Sequence, residues 1–419
     1  MRLDRLSRQP SAWIIFIFSP LLSLFLGFAN AKENWGRNIL WGFVTFYGFN
    51  FVIYDEFMDA NRYVADLQGL HDQNLNLAQF LNLFFSEGGA SFLDFGAPLL
   101  TYMVSWFTPS SHVLFACYAA VFGFFYSRNI WLLIREINSE KQGFLVLMLL
   151  VSLALMVPFW SINGFRFWTA THIFLYGILR YVMGNRNYID WKWGVLAMAF
   201  HFSFIGPLLV IVLVKSLPTK INYAFGLYVF SFFFDMTSMN PLKEMLLNLS
   251  PAFLHTKLNS YLNEDYAQRL EELAGQTKWF VVLGTSGWKY LVFLWLSLVF
   301  ILRNKLLELD KLWVERLVFI IYFGAIFNLL SFIPSMGRFL VIFHFIAISW
   351  LGQLLSKMKE GQPGLGLLKF SFLLTLPLIA GIGVYALRIG FQSISSLVVY
   401  GNPLISFWIE GESLLDLIK

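Results

Sequence analysis

Apolar residues fill this chain in long unbroken blocks, separated by short polar breaks. The first block runs from Trp13 to Phe28, and others occupy 143–158, 166–183, 221–236 and 279–302. About a dozen blocks are candidates for spans, which need roughly 20 residues each. They are continuously apolar rather than alternating, which predicts helices and argues against a β-barrel. The expected fold is therefore all-α: a polytopic integral membrane protein of about 11–13 transmembrane helices. Residues 1–419 read as one transmembrane domain, interrupted by two longer polar insertions at 55–95 and 237–278.

Composition agrees: 58% of residues are hydrophobic and 13% charged, against roughly 25% charged in soluble chains. The formal charge of +5 reflects cytoplasmic loops and gives no reason to expect nucleic acid. The single cysteine, Cys117, lies in an apolar run and excludes disulfides and cysteine-rich metal sites. No Walker motif, zinc spacing or Gly-x-Ser-x-Gly elbow occurs, so neither metal nor cofactor is expected. Trp13 to Phe28 follows three arginines, and Ala29-Asn-Ala31 would pass as a weak cleavage site. In a chain with this many later spans the segment is expected to stay as an anchor.

Lysine and arginine set the orientation. They gather at Arg128/Arg135/Lys141, Arg180/Arg186/Lys192, Lys215/Lys220, Arg303/Lys305/Lys311 and Lys357/Lys359. If these clusters share the cytoplasmic face, 143–158 and 166–183 form a hairpin whose outer turn is Ser161-Ile-Asn-Gly-Phe-Arg166. The stretch from Lys192 to Lys215 is too short for two full spans at 1.5 Å per residue. It predicts either a single span or a pair of short helices bent near His201-Phe-Ser-Phe-Ile-Gly-Pro207. The Gly206-Pro207 pair and the basic residues at both feet favour the bent pair; broken helices at membrane depth are tolerated where they line a cavity. The same frame places 237–278 and Ser331-Phe-Ile-Pro-Ser-Met-Gly-Arg338 outside. Asp55-Glu-Phe-Met-Asp59 belongs outside only if Phe95 to Phe107 lies at the interface instead of crossing, which its length and Pro98 favour. That frame leaves Arg2, Arg5 and Arg8 outside, against the positive-inside tendency; the other frame makes 95–107 cross and the 55–95 loop cytoplasmic.

Three ionisable residues thus fall at outer turns. Arg166 and Arg338 carry permanent guanidinium charge and suit a phosphate group at headgroup depth; the ordinary alternative is snorkelling or generic lipid contact. His201 suits a general base or a phosphate donor, or simply a histidine bonded to a carbonyl. Asp55, Glu56 and Asp59 form a carboxylate cluster, with Asp59 and Tyr63 one helical turn apart. Such carboxylates can orient a hydroxyl or merely favour a helix N-terminus. His172 and His344, inside helices, read as structural.

The order of these features resembles the EpsG-like branch of the Wzy polysaccharide polymerases. Asp59-x-x-x-Tyr63 is followed by Gly96-Ala-Pro98-Leu-Leu-Thr-Tyr, then Phe-Arg166, His201-x-Ser203 and a late Arg338, over about residues 38–356. The match departs after Arg166, where Phe-Trp replaces the small polar residue more usual in the family. The resemblance implies an inverting, metal-independent glycosyltransferase of GT-C-like fold at the outer face of the bacterial inner membrane. Its donor would be a growing glycan on undecaprenyl diphosphate, its acceptor a lipid-linked repeat unit, and a chain-length regulator a possible partner. In that scheme Arg166 and Arg338 would hold the leaving diphosphate, and His201 or Asp59 would serve as base. Tyr63 and Ser203 would orient the site. Competing readings are a polyprenyl-phosphate-dependent transferase of single sugars, a flippase or transporter, and a membrane acyltransferase. A transporter would be expected to carry mid-bilayer charges and an internal repeat.

Overall fold

The structure is a computed structural model describing residues 3–419 except 86–93, 138, 234–242, 245–246, 249–254, 256–258, 260–276, 307–310, 334 and 359–362. The insertion expected at 237–278 therefore lies almost wholly outside the described residues. The rest is helix, turn and coil with two isolated bridges. In order come α1 (Leu3–Phe18), α2 (Pro20–Ala29), α3 (Asn34–Phe49), α4 (Asp59–Gln73), α5 (Leu77–Phe85) and α6 (Gly96–Ser105). These are followed by α7 (Ser111–Glu136), α8 (Ser139–Met156), α9 (Phe165–Val182), α10 (Trp191–Phe200) and α11 (Ile205–Ser216). The chain continues through α12 (Ile221–Phe230), α13 (Trp279–Leu306), α14 (Lys311–Leu329), α15 (Leu340–Lys357) and α16 (Leu365–Ser393).

Among the described residues, six segments are long and apolar enough to cross a membrane, and Pro20–Ala29, Phe202–Ser216 and Ile221–Phe230 are shorter apolar helices. The all-α polytopic expectation holds. Among the described residues full-length spans are fewer than the expected crossings, because the apolar stretches near 13–28 and 191–216 are broken into helices of ten to sixteen residues and Ile221–Phe230 is ten residues long. Conversely, the 40-residue segment Gly143–Val182 doubles back. Pro158 follows the end of α8, a 3₁₀ turn spans Phe159–Gly164, and His172 Nε2 lies 3.0 Å from the Val157 carbonyl. A straight helix would hold residues so spaced about 22 Å apart.

The basic clusters meet at one end of the bundle. Arg135 donates to Asn34, Asn185 to Glu136 and Gln353 to the Met183 carbonyl, while Lys357 lies over Trp313. α3 and α7 are antiparallel: Trp131 donates to the Glu33 carbonyl at the basic end, and His112 meets the Phe49 carbonyl at the other. The chain from 50 to 110 consequently returns to the end it left, and α6 does not cross. It is ten residues long with Pro98 in its first turn, where the missing N–H is harmless.

The N-terminal segment differs from the single anchor expected. Pro20 breaks it into a hairpin in which Ser23 Oγ donates to the Ala12 carbonyl. Trp13 packs at Gly42 and Phe16 at Phe46, whereas Gly27 lies against Gly36. So α1 runs parallel to α3 and α2 antiparallel to it. At 1.5 Å per residue α1 starts level with the start of α3, at the basic end. Entry of α1 from the basic end accords with the positive-inside tendency.

α10 and α11 form the expected bent pair, with both feet toward the basic end. Gly194 packs so closely on Leu208 that a Cβ there would clash, and Lys215 lies over Trp191. The bend, however, sits at His201, whose backbone is extended (φ −151°, ψ 110°), and not at Gly206-Pro207. Pro207 falls in the first turn of α11, where proline fits a helix.

Candidate active site

The polar side chains singled out from the sequence gather at the end opposite the basic clusters. Arg166 opens α9 straight after the 3₁₀ turn. Its Nη1 donates to Asp94 Oδ2 at 3.2 Å, and the guanidinium lies within electrostatic reach of the Tyr63 hydroxyl. The Asp94 side chain is only 7% exposed, and its Oδ1 accepts the Phe202 N–H at 2.7 Å. Burying a carboxylate is tolerable only with partners of this kind. One buried carboxylate thereby ties the start of α9 to the turn after α10.

Tyr63 projects from α4 beside Tyr118, ring centroids 5.4 Å apart, and Tyr118 in turn bonds Thr101 and stacks on Phe165. Burial raises the Tyr63 pKa, with Arg166 working against the rise. Asp59 pairs with Arg62 in the first turn of α4, and Asn163 Oδ1 accepts the neighbouring Ala60 N–H. Its position is the one in which an acid complements a helix N-terminus. Two turns on, Asp66 has its pKa raised by burial despite the nearby charges of Arg62 and Arg166.

Two cavities of nearly equal size open around this turn. The first, about 700 Å³, is lined by Arg62, Tyr63, Asp66, Thr101, Tyr118 and Arg166. The second, about 680 Å³, is lined by Asn163, Trp168, Ser331, Arg338, Lys289 and His344 among others. Arg166 and Arg338, expected to grip one diphosphate together, therefore face different cavities. The reason is helical geometry: residues two apart point roughly 200° from one another, so Arg166 lines one cavity and Trp168 the other. Buried Phe167 packs between Arg338, 5.9 Å from its ring centre, and His201, 5.3 Å ring to ring.

His201 and Ser203 do come together, Nδ1 to Oγ at 2.6 Å, but neither lines either of these cavities. Asp59 is likewise absent from both linings, while Tyr63 is present in the first.

Sequence comparison supplies the family. The EpsG family matches residues 39–386, most of the chain. The chain belongs to the EpsG family. Searches of curated proteins and of solved structures find no match. EpsG-family membership makes this a polysaccharide polymerase-type, glycosyltransferase-like membrane protein that crosses the bilayer several times.

Within this EpsG-family chain, sequence reasoning missed Asp94, Asp66 and Lys289. Asp94 carries no local signal, since its partners are 72 and 108 positions away. Asp66 lies on the same face of α4 as Arg62 and Tyr63, a spacing that was legible. Lys289 did have a signal, being a lone cation well inside the apolar block 279–302.

Proposed function

We propose that this protein joins oligosaccharide repeat units carried on undecaprenyl diphosphate into a polysaccharide, at the outer face of a bacterial inner membrane. The basic end would face the cytoplasm, in keeping with the positive-inside tendency. The observation that carries the reading is the pair of similar cavities meeting at the α8–α9 turn. A polymerase must hold two lipid-linked glycans at once, and a transferase of single sugars or a lipid carrier has less need of two. The family match points to the same class of work.

In this reading the acceptor sugar occupies the first cavity and the donor's diphosphate the second. The acceptor hydroxyl oxygen attacks the anomeric carbon of the donor from the face opposite the diphosphate, which inverts the centre. The bond from that carbon to the diphosphate oxygen breaks, and its electron pair leaves with the diphosphate. The hydroxyl proton passes to a carboxylate. Asp66 suits that task better than Asp59 or His201 because it lines the cavity, and burial raises its pKa above that of an ordinary carboxylate. Arg166, its charge already met by Asp94, holds the acceptor side with Tyr63, while Arg338 meets the charge that grows on the leaving group. His201, bonded to Ser203 and edge-on to Phe167, positions the wall between the cavities. No metal enters the scheme. A separate chain-length regulator would act on the product's size and not on this chemistry.

The test is deletion of the gene followed by complementation with Arg166→Ala, Arg338→Ala, Asp66→Asn and His201→Ala. Surface glycan is then resolved on gels. Ladders should collapse toward single-repeat products for the first three, with Arg338→Ala slowing polymerisation about 10²–10³-fold, as loss of an oxyanion donor does. Full-length glycan from all of them would overturn the site. Loss of every lipid-linked sugar at the outer leaflet would point to a flippase.

A further inference from the structure

Cavity charge differs sharply between the two sides of the α8–α9 turn. The first cavity holds arginines and an aspartate, and its Arg166 is neutralised by Asp94. The second holds Lys289 and Arg338 and, among the described residues, no acidic side chain in its lining. Among the described residues neither cation has a carboxylate partner. Lys289 is also deep: it lies ten residues into α13, about 15 Å along the axis. Its ammonium rests 5.0 Å from the Phe232 ring centre. An intramembrane lysine without a counter-charge is costly, and such residues generally mark a ligand or ion path.

A second observation points the same way. His344, 6% exposed, lines this cavity near the start of α15, and its Nε2 is buried without a hydrogen-bond partner among the described residues. Lys289 lies within electrostatic reach of it. A buried imidazole nitrogen and two cations with no carboxylate partner among the described residues surround one chamber, and a bound anion would satisfy all three. The remaining walls, with Trp160, Trp288, Leu155 and Ile382, suit an isoprenoid tail and not a free ion.

We propose that Lys289, Arg338 and His344 form a binding site for the diphosphate of a polyprenyl-linked substrate. Lys289 holds the inner phosphate oxygens as a point charge, Arg338 grips from the mouth, and His344 donates from Nε2. The assignment to the donor rests on the polymerase reading; the site itself does not.

The test uses the full-length protein in phosphatidylcholine nanodiscs, with farnesyl diphosphate, inorganic pyrophosphate and phosphatidylglycerol as probes. Farnesyl diphosphate should bind, with inorganic pyrophosphate at least tenfold weaker. Lys289→Met and Arg338→Gln should each weaken it tenfold or more, and His344→Asn about threefold. Lys289→Arg should restore most of the affinity, separating lost charge from a damaged fold, and thermal unfolding should be followed for each variant. Gly69→Trp, which fills open space in the first cavity, should leave binding unchanged. Unaltered binding in Lys289→Met, or loss in Gly69→Trp alone, would overturn the proposal. So would equal affinity for inorganic pyrophosphate, or a site answering only to phosphatidylglycerol. Normal glycan length in a Lys289→Met strain, despite weakened binding in vitro, would count against the polymerase reading and leave the site standing.

Discussion

A single carboxylate organises much of the candidate site, and its removal gives a sharp test. Asp94 satisfies both Arg166 and the Phe202 N–H. Asp94→Ala leaves the Phe202 N–H without its acceptor and the half-buried Arg166 without its carboxylate, and should cost about 1–3 kcal/mol, read as a lower unfolding temperature in detergent. Asp94→Asn keeps an acceptor for Phe202 and should lose less stability, yet still release Arg166. Asp66 makes a second test through its raised pKa. A base works deprotonated, so polymer formation should fall as pH drops through that raised value, earlier than an ordinary carboxylate would impose. Asp66→Asn should flatten this limb along with lowering the rate, and an unchanged acid limb would remove Asp66 from the reaction. Arg166, Arg338 and His201 were visible because isolated charges at apolar turns are conspicuous. Asp94 was not, because only packing between distant segments makes it special. The division of the two arginines between cavities was equally hidden, since it depends on which face of α9 each residue takes.

At the level of elements, the α10–α11 hairpin closes where Gly194 meets the Leu208 side chain, which an added Cβ would have to push aside. Gly194→Val should overpack that seam by about 1–3 kcal/mol and displace the His201 turn. Gly206 is different, because nothing lies within 4 Å of its missing Cβ and it occupies the first turn of α11. Gly206→Ala should be neutral or stabilising by about 0.4–1 kcal/mol. Paired thermal melts of the two variants separate a bend set at His201 from one set by the glycine-proline pair. The sequence made the hairpin legible through basic residues at both feet. It named the wrong breaking residues within that turn because Gly-Pro reads as a breaker anywhere, and whether it acts as one depends on its position relative to the helix start.

For the molecule as a whole, the ends of the bundle were readable from lysine and arginine alone. The N-terminal hairpin puts the start of α1 at that same basic end, which Pro20 could have signalled and composition could not. Two cysteines introduced into a Cys117→Ala background test this. Asp59→Cys should label from outside intact cells, and Tyr188→Cys, near the basic end, only after the inner membrane is permeabilised. Labelling of both from one side would break the frame. The re-entrant pair also has a consequence for how the chain is made. Neither α10 nor α11 is long enough to be inserted as a span by itself, and α11 leans on α14 as well as on the His201 turn. α14 emerges from the ribosome only after everything from 217 to 310. The His201 turn must therefore wait, half-assembled, for the second half of the protein, which makes late synthesis and not early insertion the step that completes the wall between the cavities.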